Sequence, residues 1–245
     1  MRRCYGSAPP GLDLSKLTGA LIVIEGPDSS GRSRQIELLA EWIEQQGYPV
    51  GQVGLKRSRL VGRELEQAKQ GNVLSPRTMS LFYATDFYDQ FENVIVPNLR
   101  AGSVVLADRY IFTLMARDAL RGADRDWLAA LYSKVIVPDA VFYFEVGPQT
   151  LVDRTLYAHR RLDYWESGID IGLSRDWFGS FVSYQRRMRA EFKRLQLTYG
   201  FEGINANRSV ATIQKELKTR VQAVLQRVYG TRAVAPATQQ GGPSA

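Results

Sequence analysis

A chain of 245 residues, 44% apolar and 23% charged, has enough material for one large domain or two small ones and reads as a folded globule, not a disordered or fibrous chain. Its one cysteine, Cys4, and one histidine, His159, exclude an internal disulfide and a thiolate or imidazole metal cluster. The formal charge of +7 favours polyanionic partners such as nucleotides, although the basic run Arg186 to Arg194 is equally a solvated helix face.

In chain order, residues 1–18 read as a flexible arm, 19–230 as one domain and 231–245, rich in Ala, Pro, Gln, Gly and Ser, as a disordered tail. Leu21 to Ile24 is β-branched and apolar on both faces, as a buried parallel strand requires. A helix follows over about Arg32 to Gln46, with Ile36, Leu39, Ala40 and Ile43 on one face. Further strands are expected at Tyr48–Val53, Val104–Ala107, Val141–Val146 and Phe201–Ile204. Helices are expected over Arg77–Arg100, interrupted near Pro97, and over Ser174–Tyr199 and Val210–Val228. This rhythm predicts an α/β three-layer sandwich with a five-stranded parallel sheet flanked by helices. No apolar run reaches the roughly 18 to 20 residues of a membrane span. Met1-Arg2-Arg3 leads into a polar, Pro/Gly-rich stretch without a signal-peptide core, so a cytoplasmic location with no membrane partner is expected.

Directly after the first strand, Gly26-Pro27-Asp28-Ser29-Ser30-Gly31-Arg32-Ser33 fits the pattern of Gly, four residues, Gly, a cation and Ser/Thr that marks a P-loop NTPase, with arginine in place of lysine. Gly26 and Gly31 permit a tight loop whose N–H groups point inward at a helix start, where they cradle phosphate. Ser33 is placed to offer its hydroxyl to Mg2+, and Arg32 to bring charge to the terminal phosphates of ATP, with Arg34 as a second cation close by. Guanidinium is wide and planar where ammonium is compact. Arg32 therefore either grips the β- and γ-phosphates or splays outward and leaves a binding site with slow turnover.

Three further segments carry a resemblance. Glu25-Gly26-Pro27-Asp28 is followed by Ser33 and Gln35. Leu74-Ser75-Pro76-Arg77 leads into Leu81-Phe82-Tyr83-Ala84, and the third strand runs into Asp108-Arg109-Tyr110. Pro138 to Tyr143 follows at the fitting distance, and together these segments resemble the thymidylate kinases over roughly residues 19–228. The resemblance implies ATP- and Mg2+-dependent phosphoryl transfer to a nucleoside monophosphate, dTMP by default, in a homodimer that acts on small nucleotides and not on nucleic acid. It also implies that Asp28 positions acceptor or phosphate, that Phe82 stacks on the acceptor base, that Asp108 joins Ser33 at the metal and that Arg109 clamps phosphate. Lys56 and Arg57 would meet the acceptor phosphate. A mobile cover is expected over about 154–173, with Arg160 or Arg161 as its catalytic cation. Asp86 or Phe87 stands where the family has an arginine that reads thymine, and Arg117-Asp118 stand in place of its Tyr-Gln pair. Asp86 and Arg117 are therefore expected along the acceptor, where Asp86 would suit a base with an amino edge.

Overall fold

Alternation of side chains across five short strands lets one sheet bury apolar residues on both faces. In the computed structural model, which describes residues 2–71, 74–159 and 162–230, the strands are β1 (Ala20–Glu25), β2 (Val50–Gly54), β3 (Val104–Asp108), β4 (Ala140–Glu145) and β5 (Glu202–Asn205). They pair in parallel in the order β2-β3-β1-β4-β5. On one face Leu21, Val23, Val105, Ala107 and Tyr143 pack into the larger core. On the other, Ile22, Ile24, Leu106, Phe142 and Phe144 pack into the second.

The helices supply the outer layers. They are α1 (Arg32–Gln45), α2 (Gly62–Gly71), α3 (Pro76–Gln90), α4 (Val96–Arg100), α5 (Ile111–Leu120), α6 (Arg125–Leu131), α7 (Pro148–His159), α8 (Trp177–Tyr199) and α9 (Val210–Tyr229). The interruption expected near Pro97 takes a definite form. A π-helical turn, Phe91–Ile95, joins α3 to α4, and the Val96 N–H bonds back to the Phe91 carbonyl. The wider turn carries the helix to a proline that has no N–H to give. Helices α2, α5, α6 and α7 have no counterpart among the sequence-based expectations. They are 7 to 12 residues long, too short for an apolar period to stand out.

Residues 2–18, read from sequence as a flexible arm, lie against the domain. Arg2 donates from Nη2 to the Asp139 carboxylate at 3.1 Å and from Nε to the Leu17 carbonyl. Cys4 is buried and bridges Ile136 in antiparallel fashion. No helix among the described residues is long and apolar enough to cross a membrane. The tail 231–245 lies outside the described residues.

Candidate functional site

The carboxyl ends of β1 and β3 are neighbours, with Ile24 in register with Asp108, so whatever follows these strands meets at one edge of the sheet. After β1 the chain turns through Gly26, at φ +147°, where an added Cβ would lie 3.0 Å from the Phe144 Cβ. It then passes Gly31, at φ +90°, and enters α1. Both conformations favour glycine, and together they aim the start of α1 at the space above the sheet, where helix-end N–H groups favour an anion.

Glu25, wholly buried, builds the corner beneath. It accepts from the Tyr110 N–H at 2.8 Å and the Thr113 hydroxyl at 2.5 Å, which ties the β3–α5 turn to β1. Burial pushes its carboxyl up and these hydrogen bonds work against that.

Arg32 turns inward. Its Nη1 donates to the Gly26 and Pro27 carbonyls and its Nε to Asp108 Oδ1 at 2.9 Å, while Nη2 lies 3.5 Å from Asp28 Oδ1. The guanidinium therefore braces the loop from below, at 7% exposure. Ser33 donates from Oγ to Asp108 Oδ2 at 3.3 Å. Hydroxyl and carboxylate oxygens side by side are the donor set that Mg2+ takes when phosphates complete its shell. Burial opposes charge on Asp108, but Arg32 beside it lowers its pKa.

Asp28 is the hub of a second set of cations. Arg109 Nη2 donates to its Oδ1, and Arg117 Nη2 to its Oδ2 at 3.1 Å. Burial works against ionisation, but Arg109, the hydrogen bond from Glu166, Arg117 and Arg32 together hold the carboxyl well below its ordinary range. Glu166 also lies 3.8 Å from Arg117. Burial and the charge on Asp28 raise its own pKa to about 8, so the two carboxyls share a proton.

Three connected cavities open around these groups. The largest, about 950 Å³, runs along Pro27 to Arg34 and is walled by Arg154, Thr155, Tyr157 and Val210. Thr155 Oγ1 donates to Ser29 Oγ at 2.9 Å, and Arg154 reaches the Ser30 carbonyl. Through Asp28, Arg32, Ser33 and Glu166 it joins a strongly cationic space of about 200 Å³ lined by Lys56, Arg57, Lys69, Arg109 and Arg117. Lys69, Tyr83 and Arg117 in turn join that space to a narrow cleft of about 40 Å³ between α3 and α5, closed over by Trp165. Among the described residues, the three non-glycine residues with positive φ are Ser29, Lys56 and Arg109, and all three line these cavities. Strain kept at such positions is a feature of functional sites.

The structure thus brings together Gly26, Pro27, Asp28, Ser29, Ser30, Gly31, Arg32, Ser33, Asp108, Arg109, Lys56, Arg57 and Arg117. Arg34 lines the loop cavity from its exposed side, with Nη1 3.3 Å from Glu37 Oε2. Asp86, expected at a base edge, is wholly buried. Its two oxygens accept from the Lys56 N–H at 2.8 Å and the Ser58 N–H at 2.9 Å, so it fastens the loop after β2. Phe82 is half-buried against the core, and it is its neighbour Tyr83 that lines the cleft, together with Trp165. Arg160 and Arg161, proposed cations of the cover, lie outside the described residues. Sequence reasoning gave no role to Lys69 or Arg121 and saw Glu166 and Trp165 only as part of a cover. The sole signal for the last two was the charged and aromatic run Asp163-Tyr164-Trp165-Glu166.

A nucleotide-sized cavity on a glycine loop, joined to a cationic second cavity, fits what the sequence is similar to. The profile of the family described as thymidylate kinase matches residues 24–171. The probable thymidylate kinase 2 of Saccharolobus solfataricus is 36% identical over 203 residues, 82% of this chain and 95% of its own length. The probable thymidylate kinase of Thermococcus kodakarensis is 28% identical over 216 residues, 83% of this chain and 98% of its own length. The thymidylate kinase of an Exiguobacterium species is 29% identical over 210 residues, 82% of this chain and 93% of its own length. Loop, cation hub and sequence agree, and the chain belongs to the thymidylate kinase family.

Proposed function

We propose that this protein transfers the γ-phosphoryl group of ATP to dTMP. The observation that carries the reading is the junction of the loop cavity with the cationic space at Asp28, Arg32 and Ser33, since a donor and an acceptor phosphate placed one in each would meet there. Phosphoryl transfer needs little covalent help from a protein and depends on positioning and charge. The N–H groups of Gly26–Ser33 hold the donor phosphates. Arg109 and Arg117, aimed by Asp28, grip the acceptor phosphate, with Lys56, Arg57 and Lys69 around it. Ser33 and Asp108 would hold Mg2+, which would supply positive charge beside the transferred group. The cleft beside Tyr83 receives the acceptor base, and Trp165 must move to admit it, because about 40 Å³ holds little more than one water.

A coupled assay with ATP, Mg2+ and dTMP tests this directly; no ADP above the rate without acceptor would overturn it. The bracing of Arg32 by loop carbonyls and Asp108 favours a second reading, a nucleotide-binding module with little turnover. That reading predicts a rise in melting temperature with ATP and Mg2+ but no dTMP-dependent ADP.

A further inference from the structure

The segment 163–172, which carries Trp165 over the cleft, is fastened on two sides. Toward α8, Ser180 Oγ donates to the Ser167 carbonyl at 2.7 Å and Gln185 Nε2 to the Glu166 carbonyl at 3.1 Å. Gly168, at φ +61°, brings the chain against the Tyr184 ring, where an added Cβ would lie 2.7 Å from Cδ2. Toward α5, every hydrogen bond to the segment among the described residues comes from one side chain, that of Arg121 at the helix C-cap. Arg121 uses all five of its N–H groups. Nε and Nη2 grip the two oxygens of Asp170 at 2.7 and 3.1 Å, and Nη2 also donates to the Trp165 carbonyl at 3.0 Å. Nη1 donates to the Tyr184 hydroxyl at 3.1 Å and the Arg117 carbonyl at 3.2 Å. The guanidinium carbon lies over the rings of Trp165 and Tyr184, 5.5 Å from each centroid.

We propose that Arg121 is a positioning residue for the acceptor end: it pins the Trp165 carbonyl and the Asp170 carboxylate to the end of α5, and so sets Glu166 beside Arg117 and Asp28. Glu166 follows Trp165 directly and lies 3.8 Å from Arg117, whose carbonyl Arg121 also holds. With its carbonyl held, Trp165 admits an acceptor by swinging the indole alone, at the loss of the bond from Nε1 to the Lys69 carbonyl. A segment that is ordered beforehand needs less ordering when the ligand binds, and the difference appears as affinity. The inference rests on the kinase reading only in taking dTMP as the ligand of this end.

The role depends on the shape of the cation. A guanidinium presents five N–H donors in one plane, whereas an ammonium has three and no plane to lie between two rings. Both members of the Arg121–Asp170 pair are buried, at 9% and 11% side-chain exposure, so a partner of the wrong shape is not replaced by water. Asp170 separates positioning from contact, because it lines none of the three connected cavities. The amides of Ser167, Gly168, Ile169, Ile171 and Gly172 are hydrogen-bonded within the segment, so their exchange reports how often it opens.

Calorimetric Kd values for dTMP and for ATP with Mg2+, together with hydrogen exchange of the free protein, test this on the full chain. Arg121→Lys is expected to weaken dTMP by at least ~10-fold and ATP by less than ~3-fold. Amide exchange over 163–172 should quicken by at least ~10-fold while β1, β3 and β4 exchange as in wild type, which shows that the fold is kept. If Arg121→Lys binds dTMP as tightly as wild type, charge alone serves and the proposal is overturned. Equal losses for dTMP and ATP overturn it too, as the mark of a general loosening, and so does unchanged exchange over 163–172. Asp170→Asn should weaken dTMP by ~3-fold or more, and should cost less when added to Arg121→Lys than it costs alone, because both substitutions disturb one interaction. Full additivity overturns the proposal. Where Arg121→Lys does not fold, Asp170→Asn decides by the same Kd and exchange readings. A wild type that binds dTMP without turnover counts against the kinase reading and leaves the Arg121 result standing. If wild type binds no dTMP, that reading fails and exchange over 163–172 alone decides whether Arg121 pins the segment.

Discussion

Around Gly26–Ser33 the cavity follows one continuous loop at a helix start, whereas between α3 and α5 its walls come from four separate stretches of sequence. The loop is shaped by two glycines and braced by one guanidinium beneath it. The cleft is shaped by Tyr83 and Met79 from α3, Leu114, Arg117 and Asp118 from α5, Lys69 from α2 and Trp165 from the segment before α8. A loop at a helix start offers the same N–H groups whatever its side chains are, so it suits a phosphate, which every nucleotide carries. A wall of side chains changes with each substitution, so it suits the part of the substrate that differs between nucleotides. The largest consequences should therefore follow from disturbing the brace, and smaller, more selective ones from the acceptor end.

Arg32 tests the first half of this contrast. Arg32→Ala leaves Asp108 and Asp28 without a cation they share and should cost about 3–5 kcal/mol of stability, read in urea unfolding, together with a turnover loss of roughly 100-fold or more. Arg32→Lys restores one charge but cannot serve two carbonyls and a carboxylate at once. It should recover part of the stability. If Arg32→Ala unfolds at the wild-type urea concentration, the guanidinium is not a brace. Asp108→Asn is the milder probe. It keeps an oxygen for Arg32 but weakens the metal position, so turnover should fall roughly 10-fold while the Mg2+ requirement rises. An unchanged turnover number at every Mg2+ concentration would leave Asp108 as a partner for Arg32 alone.

At the acceptor end, Asp86 supplies the next test. Removing its carboxylate in Asp86→Ala leaves the buried N–H of Ser58 and the N–H of Lys56 unpaired, at a cost of about 1–3 kcal/mol. The loop carrying Lys56 and Arg57 should loosen, so KM for dTMP rises while KM for ATP holds. A shift in base preference without loss of stability would restore Asp86 to the base edge.

The two walls also differ in how far the sequence discloses them. Gly26, Gly31 and Ser33 are neighbours in sequence as well as in space, so the loop and the first strand beneath it were readable by spacing. Strands β1, β3 and β4 were readable for the same reason, since each is a local apolar run. Asp86 shows where this stops. Position and charge placed it near the acceptor, but whether a carboxylate faces a cavity or two main-chain N–H groups depends on where the β2 loop crosses α3. No local pattern encodes that crossing. Glu166 and Arg121 meet their partners across 138 and 49 residues, so nothing in either neighbourhood announces them. The inward turn of Arg32 is likewise tertiary, because Asp108 arrives from β3.

An effect confined to one part of the pH range belongs to Glu166, the carboxyl that touches both regions. It lines the loop cavity and the cationic space, and shares a proton with Asp28. Its folded pKa is raised from 4.5 to about 8 by burial and by the Asp28 charge. Between those two values the folded chain holds a proton that the unfolded chain has released, so stability falls as pH rises through that window. Glu166→Gln keeps a hydrogen-bond donor toward Asp28 and removes the titration. The variant and wild type should melt together near pH 5, where Glu166 is protonated in the fold. By pH 8 the variant should melt higher, because the wild type has by then lost the stability that the bound proton gave it. Asp118, also raised, titrates alike in both proteins, so the difference between the two curves isolates Glu166. A gap that is the same at pH 5 and pH 8 would mean that Glu166 is ionised throughout, and that the cations around Asp28 hold two negative charges instead of one.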